Sequence, residues 1–300
     1  MRILITGANG LLGQKIVNQL NKREGVVFLA TATGENRNPK CSDKNYSSLD
    51  ITKKSELVAV CDKFKPDAII NTAAMTNVDA CEDNRSACLD LNVKAVQYLF
   101  DYCRQNKIHL QQLSTDFVFD GVKGNYNELD TVNPLSFYGK SKVEAETILQ
   151  NSSYSNWSVL RTIIILGVVP GMSRSNLLLW AKGALERNET INVVDDQFRA
   201  PTWADDLAWA CIEIVVQKHI GVYHVAGPET MSVLEIVKKV AKHYKLNSEL
   251  IQPISSLSLK QKAARPPKTG FDLSKIKKAI NYTPKSLNEI LVLLDCELKR

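Results

Sequence analysis

Short apolar runs alternate with amphipathic stretches through the first half of the chain. Runs rich in β-branched residues lie at residues 3–5, 26–29, 68–70, 109–113 and 159–160. Between them, apolar residues recur at helical spacing over residues 11–20, 55–64, 87–102 and 142–149. This order predicts an α/β fold with a doubly wound parallel sheet of the Rossmann type, with helices on both faces and ligands at the carboxyl ends of the strands.

The second half is less regular and predicts a smaller C-terminal α/β lobe over the ligand edge of the sheet. Its pattern predicts a helix at 176–187, a strand at 191–194, a helix after Thr202 and a strand at 222–225. Ser232 and Ser286 each open a capping box, and Thr202-x-x-Asp205 is a weaker form of it. We expect residues 1–162 to form the dinucleotide-binding domain, with 198–227 returning to it. Residues 163–197 and 228–300 are expected to form the substrate lobe.

Composition limits the function classes. No apolar run reaches the length of a membrane span, and seven cysteines without a C-x-x-C pair favour neither a disulfide framework nor a zinc site, so we expect a soluble cytoplasmic protein without a metal. The net charge of +6 is spread along the chain apart from a basic stretch at 260–278. No aromatic platform accompanies that stretch, which argues against nucleic-acid binding and favours an anionic small molecule.

A glycine-rich turn follows the first predicted strand. Gly7, Gly10 and Gly13 form G-x-x-G-x-x-G ahead of the helix at 11–20. In this context Gly7 permits a tight turn, Gly10 lets the backbone approach a diphosphate, and Gly13 lets helix and strand pack closely. Backbone N–H groups at the helix start would face the anion. The turn therefore predicts a bound dinucleotide.

The end of the second strand bears on which dinucleotide binds. No carboxylate stands there to hold a ribose 2′-hydroxyl, whereas Arg37 and Lys40 follow shortly after and could pair with a 2′-phosphate. This favours NADPH, with NADH as the alternative. The same two side chains are equally well explained as exposed loop charges.

Tyr138 and Lys142 stand four residues apart at the start of a predicted helix, and the preceding strand ends in Ser114-Thr115-Asp116. A hydride delivered to a carbonyl leaves negative charge on oxygen, which needs hydrogen-bond donors and then a proton. Tyr138 can give that proton, and we expect the Lys142 cation to lower the pKa of the phenol. Thr115 can hydrogen-bond the substrate oxygen. Asn92 is expected to support Lys142 through backbone or water contacts.

At this point the chain resembles the extended short-chain dehydrogenase/reductases, and more closely the dTDP-4-dehydrorhamnose reductase family. The motifs that carry the resemblance include Ser-Thr-Asp-Phe-Val-Phe-Asp-Gly at 114–121 and Tyr-Gly-Lys-Ser-Lys at 138–142. The others lie at residues 7–13, 49–52, 71–79, 160–162, 196–197, 201–202 and 265–266.

The resemblance implies roles for particular residues. It implies that Thr115, Tyr138 and Lys142 are catalytic. It implies cofactor contacts for Gly7, Asn9, Gly10, Leu11, Leu12, Gly13, Arg37, Asp50, Ile51, Ala73, Ala74, Thr76, Asn92, Tyr138 and Lys142. It implies substrate contacts for Thr76, Val78, Thr115, Asp116 and Phe117; Arg199 is also expected to contact the substrate, although it departs from the family pattern. The implied reaction is NAD(P)H-dependent reduction of the 4-keto group of a nucleotide-diphosphate sugar, dTDP-4-dehydrorhamnose to dTDP-rhamnose, in cell-surface polysaccharide biosynthesis.

Several positions depart from the family pattern on the substrate side. Ile163 and Ile164 stand where the family has Ser-Trp, Arg199 where glycine is usual, and residues 268–271 where Asn-Ser-Arg-Leu is customary. These changes put the identity of the sugar and nucleotide in question. Gln14-Lys15 stands where some relatives place a metal-bridging glutamate, so a magnesium-linked dimer is not expected. A homodimer of another kind stays open.

Two other reactions on sugars, and one function of a different class, are alternatives to reduction. Sugar dehydration is disfavoured because Phe117 stands where dehydratases carry a proton-transferring Glu. A 4-epimerase keeps the same tyrosine and recycles a tightly held cofactor, so it is excluded less firmly. A different class of answer is a non-catalytic NADP-binding regulatory subunit like that of methionine adenosyltransferase, which resembles the same family.

Overall fold

The computed structural model describes residues 1–172, 175–259 and 261–299, so Lys260 of the basic stretch lies outside the described residues. The strands in this part of the chain are β1 Arg2–Thr6, β2 Val27–Ala32, β3 Tyr46–Ser48, β4 Ala68–Asn71, β5 His109–Thr115, β6 Gly124–Tyr126, β7 Trp157–Thr162, β8 Ile165–Leu166, β9 Ile191–Val194, β10 Phe198–Arg199, β11 Thr202–Trp203, β12 Gly221–Val225, β13 Met231–Ser232, β14 Ile251–Ile254 and β15 Thr269–Phe271. The α-helices are α1 Leu11–Leu20, α2 Lys54–Phe64, α3 Val78–Asp83, α4 Arg85–Leu89, α5 Ala95–Asn106, α6 Phe137–Gln150, α7 Leu177–Glu186, α8 Ala204–Val216, α9 Val233–Tyr244, α10 Ser274–Ile280 and α11 Leu287–Leu298.

Seven parallel strands form the main sheet in the order β12-β7-β5-β4-β1-β2-β3. The predicted doubly wound fold is confirmed. The chain order reverses between β1 and β4, and such a reversal opens a crevice at the carboxyl ends of the two strands. The glycine-rich turn after β1 and the segment after β4 both lead into this crevice.

The helix expected over 87–102 is interrupted. The chain forms α4, then a π-helical turn at Asp90–Lys94, and then α5. A π turn carries one extra residue per turn, which rotates the side chains on either side of it relative to each other. Asn92 lies in this turn and is fully buried. The hydrophobic period alone could not show this change of helix type.

The capping boxes at Ser232 and Ser286 are confirmed, because each serine accepts the N–H three residues on and the glutamate at that position bonds back. The weaker capping box predicted at Thr202 is wrong. Helix α8 begins after Trp203 and has no side-chain cap. The Thr202 hydroxyl instead donates to the Ile163 carbonyl at 2.6 Å, so it joins β11 to the end of β7.

Apolar side chains form a large cluster between the sheet, α1 and α8, and a second one among α7, α9 and α11. A buried cation links the two regions. Lys15 on α1 forms ion pairs with Asp205 at 2.8 Å and with Glu297 on α11, and Glu297 also accepts the Val168 N–H. The proposed division into a dinucleotide domain and a substrate lobe stays a prediction. No helix in the described ranges is long and apolar enough to cross a membrane.

Candidate active site

The turn between β1 and α1 is shaped for a close-lying anion. Gly7 has a φ of +70°, and a side chain on Gly13 would collide with the Gly7 carbonyl, so both positions require glycine. Gly10 is exposed, and an added Cβ there would meet only the Gly7 carbonyl oxygen, at 3.3 Å. Helix α1 begins at Leu11 with no side-chain cap. A glycine-lined space before an uncapped helix start fits a dinucleotide diphosphate.

Asn9 ties this turn to the loop after β2. Its side chain accepts the Arg37 N–H at 2.9 Å and donates to the Glu35 carbonyl at 2.8 Å. The exposed Arg37 therefore lies beside the turn. Lys40 lies elsewhere, because its carbonyl accepts from Asn21 at the far end of α1, about 15 Å from Gly10 for a ten-residue helix. Of the two basic residues, only Arg37 stands near the turn.

The other expected cofactor residues follow neighbouring strands of the same edge. Asp50 and Ile51 come just after β3; the Thr52 hydroxyl donates to Asp50 at 2.7 Å, and this bond holds the pKa of Asp50 below its usual value. Ala73 and Ala74 follow β4, where a side chain on Gly7 would strike the Ala73 backbone. The two turns thus lie in contact. Thr76, further along the β4 loop, is exposed, as a ligand contact requires.

Thr115 and Tyr138 meet where β5 ends and α6 begins. Ser136 caps α6 by accepting the Gly139 N–H at 3.2 Å, which places Tyr138 in the first turn. Gly139 packs so closely on the Phe117 carbonyl that a Cβ would collide with it. The Tyr138 hydroxyl hydrogen-bonds with that of Thr115, and Lys142 lies one turn further along the same helix. The three groups expected from the sequence therefore come together.

All three side chains are buried, and burial governs their ionisation. It raises the pKa of the Tyr138 phenol well above its usual value, and hydrogen bonding with Thr115 opposes this only in part. Burial lowers the pKa of Lys142 to about 8, against the raising influence of Glu146. The expectation of a lowered phenol pKa is therefore wrong, because the desolvation cost of the phenolate outweighs the lowering influence of Thr115.

Asn92 acts on this site through the backbone and a neighbouring serine. Its side-chain oxygen accepts the Met75 N–H at 2.8 Å, and its amide donates to the Met75 carbonyl at 3.1 Å and to Ser141 at 3.0 Å. Ser141 directly precedes Lys142 on α6. Asn92 thus joins the loop after β4 to the helix that carries Tyr138, while no hydrogen bond to the Lys142 ammonium is found within the described ranges.

Asp116 is the charged centre of the substrate side. One carboxylate oxygen accepts the Thr115 hydroxyl at 3.0 Å, and the other accepts the Thr269 hydroxyl at 2.5 Å. Arg199 Nε stands 3.8 Å from the second oxygen. The Phe117 ring packs edge-on against Tyr138, at 5.8 Å between centroids, and Val78 packs partly against the same cluster. Arg199, which stands where the family pattern has glycine, therefore lies beside Asp116, the residue that follows Thr115.

A buried ion pair supports α6 from behind. Arg161 on β7 binds the Glu146 carboxylate through Nη2 at 2.6 Å and Nε at 3.0 Å, and Ser114 donates to the same carboxylate at 2.5 Å. His224 Nε2 lies 3.3 Å from Arg161 Nη1. Glu146 lies one turn beyond Lys142, so this pair fixes the helix that carries both Tyr138 and Lys142.

The departures at Ile163 and Ile164 differ in what they touch. Ile163 is fully buried in the large apolar cluster, whereas Ile164 is half-buried and contacts both clusters. Ile163, which replaces the family's serine, therefore contributes to the packing of the apolar core.

Sequence reasoning missed Thr269, Glu146 and Arg161 as members of the site. Glu146 alone carried a local signal, since it continues the four-residue spacing of Tyr138 and Lys142.

The fold and this site define the class of the protein: a dinucleotide-binding α/β protein with a Tyr-x-x-x-K pair opening the helix after the fifth strand. The model of the family described as "RmlD substrate binding domain" matches residues 1–294. The chain belongs to this family.

Individual relatives bear different names. The chain is 33% identical over 297 residues to a dTDP-4-dehydrorhamnose reductase of Aggregatibacter actinomycetemcomitans, covering 94% of each chain. It is also 30% identical over 283 residues to methionine adenosyltransferase 2 subunit beta of Xenopus laevis, covering 92% of this chain and 82% of that protein. Among solved structures, dTDP-4-dehydrorhamnose reductase from Bacillus anthracis in complex with NADP is similar, with a TM-score of 0.82, 25% identity and 99% coverage of both chains.

Proposed function

We propose that the protein reduces the 4-keto group of a nucleotide-diphosphate sugar with NADPH, converting dTDP-4-dehydrorhamnose to dTDP-rhamnose. The observation that carries this proposal is the meeting of Thr115 and Tyr138 at the sheet edge that also bears the glycine-rich turn. The named activity of the Aggregatibacter relative and the NADP complex of the Bacillus relative support it. NADH is the alternative cofactor, and a homodimer and a cytoplasmic location stay predictions.

NADPH, when bound, supplies the hydride that goes to the carbonyl carbon. Tyr138 gives its proton to the carbonyl oxygen, which becomes the product hydroxyl. Because burial raises the phenol's pKa, Tyr138 holds its proton at neutral pH and is available as the donor. Thr115, hydrogen-bonded with Tyr138, fixes the position of the phenol that gives its proton to the substrate oxygen.

Lys142 acts on the tyrosinate left after proton transfer. Because the pKa of Lys142 is lowered only to about 8, the side chain is protonated in most molecules at pH 7. A cation one helical turn away stabilises the phenolate in a site that excludes water, where such an interaction is strong. Lys142 therefore matters most once negative charge has formed.

The remaining contacts follow from position. We assign cofactor contacts to the turn residues Asn9, Gly10, Leu11 and Leu12, and the 2′-phosphate to Arg37, whose backbone is held beside that turn. Thr76, Val78 and Phe117 would line the sugar side.

The direct test replaces Tyr138 by Phe, which removes the proton and keeps the ring. Turnover of enzymatically generated dTDP-4-keto-6-deoxysugar should fall about a hundredfold or more, the usual contribution of a positioned general acid. NADPH binding, followed by fluorescence titration, should be retained. Tyr154→Phe is a matched control, since within the described part of the chain its hydroxyl donates to the Ile108 carbonyl and accepts from Asn156, away from the site. Near-normal turnover by Tyr138→Phe would exclude this residue as the donor.

The same assay separates the alternatives. A reductase consumes NADPH in proportion to substrate, whereas a 4-epimerase recycles the cofactor that it holds. The Xenopus relative is named as a subunit, which favours testing a binding role as well. Absence of NADPH consumption with any keto-sugar, together with stable association with a methionine adenosyltransferase, would support the subunit instead.

A further inference from the structure

Asp116 is held from three separate parts of the chain. It follows β5, Arg199 lies on β10 and Thr269 opens β15, so the contacts bring together elements up to 153 residues apart in sequence. All three side chains are buried, at 2% exposure or less. A buried carboxylate needs partners; on the oxygen that Thr115 does not use, Thr269 donates a hydrogen bond and Arg199 supplies a positive charge 3.8 Å away. The arrangement leaves the first oxygen for the Thr115 hydroxyl.

We propose that Thr269 and Arg199 are positioning residues that fix the Asp116 carboxylate and, through it, the hydroxyl of Thr115. The Thr115 oxygen accepts the Phe117 N–H at 3.2 Å and donates to Asp116 at 3.0 Å. These two bonds set its rotamer beside Tyr138. If the carboxylate turned, Thr115 would lose one of the two.

Thr269 is itself placed by a segment that docks across the site. In this segment, residues 265–271, Arg265 binds Asp79 at 2.7 Å and the Pro267 carbonyl accepts the Phe198 N–H at 2.7 Å and Arg199 Nη1 at 3.3 Å. Strand β15 then pairs with β6. The contacts that hold this segment in place therefore also set the position of Thr269 and, through Asp116, that of the Thr115 hydroxyl.

The charge state of Asp116 gives the arrangement a measurable signature. Burial raises the pKa of Asp116, while Arg199, Thr269 and Thr115 oppose the rise. The titratable groups facing it are Arg199 from β10 and Tyr138 from α6, with Arg265 acting on Arg199. Removing the Thr269 hydroxyl removes one of the groups that oppose this rise, so the pKa of Asp116 rises further. If activity requires the Asp116 carboxylate, the acid limb of the pH profile then moves to higher pH.

The experiment rests on the proposed function and uses keto-sugar reduction by the full chain. Thr269→Val removes the hydroxyl at nearly constant volume, Thr269→Ser keeps it, and each is made in the wild-type and Thr115→Ala backgrounds. Steady-state kcat, KM and the pH profile are measured, with NADPH binding and circular dichroism as checks of folding. Thr269→Ala has no steric obstacle to folding and replaces the valine variant if valine is not accommodated.

We expect Thr269→Val to lower kcat about tenfold with little change in KM, and to move the acid inflection to higher pH. Thr269→Ser should behave like the wild type. In the Thr115→Ala background the valine change should cost almost nothing more, since the two residues act as one unit. An equal loss in both backgrounds, or an unchanged kcat and inflection, would overturn the proposal. If the wild type reduces no keto-sugar, the proposed function fails, and loss of Thr115 hydroxyl protection by hydrogen-exchange NMR in Thr269→Val then decides the positioning role.

Discussion

Replacing Arg161 by Met tests how much the ion pair behind α6 stabilises the fold. Both Arg161 and Glu146 have side chains only 3% exposed, and Glu146 has no other cation bonded to it among the described residues. The variant leaves a carboxylate buried with only the Ser114 hydroxyl as a donor. Removing one member of a buried pair costs about 3 to 5 kcal/mol. We therefore expect the free energy of unfolding to fall by this amount.

The double variant Arg161→Met/Glu146→Met distinguishes a stranded charge from lost packing. With both charges gone, the cost left is that of the unpartnered Ser114 hydroxyl and His224 ring nitrogen, about 1 to 3 kcal/mol. The double variant should thus be more stable than Arg161→Met alone.

Urea unfolding of the cofactor-free protein, followed by circular dichroism at neutral pH, measures both differences from the transition midpoints. Arg161→Met/Glu146→Gln serves as a control for size, because it keeps the shape of the side chain at position 146 while removing the stranded charge. If Arg161→Met lost less than about 1 kcal/mol, or if the double variant were no more stable than Arg161→Met alone, the account of a desolvated pair would be refuted.

Three further predictions follow from other parts of the structure. Gly10→Val should abolish NADPH binding without unfolding the chain, since among the described residues its Cβ would meet the Gly7 carbonyl oxygen alone, at 3.3 Å; unchanged affinity in a fluorescence titration would contradict the assignment of the turn. Arg37→Ala should weaken NADPH binding about tenfold and leave NADH binding unchanged, whereas equal weakening of both would show that Arg37 does not meet the 2′-phosphate. Burial, aided by Arg161, lowers the pKa of His224 to about 3, while an unfolded histidine titrates near 6.5. The unfolded state therefore binds the extra proton first, so stability should fall as the pH drops from about 6.5 towards 3. His224→Gln should reduce this decline in urea midpoints, and an identical decline would argue against it.

Local patterns predicted the parts of the site that depend on neighbours in sequence. Each glycine of the turn meets a different steric requirement, and their spacing in the sequence indicates which. The four-residue interval from Tyr138 to Lys142 places both residues on one face of the helix. The alternation of strands and helices was enough to predict the parallel sheet.

Contacts between distant segments could not be predicted in this way. Thr269 meets Asp116 across 153 residues, and nothing around either residue in the sequence indicates the other. The ionisation of Tyr138 was mispredicted for a related reason: a nearby lysine is visible in the sequence, but the depth of burial that outweighs it is a property of the packed fold. The π turn at Asn92 likewise depends on where its amide bonds, at Met75 and Ser141.

The ion pair between Lys15 and Glu297 has a consequence for how the chain reaches its folded state. The helix that receives the dinucleotide carries an ammonium group whose carboxylate partner is made 282 residues later. During synthesis, that group stays hydrated until Asp205 and then Glu297 have been made, so the first helix cannot settle fully against its neighbours before both of these segments arrive. A nascent chain thus forms the first strands and the glycine-rich turn early, whereas α1, which follows that turn, takes up its final packing only late in synthesis.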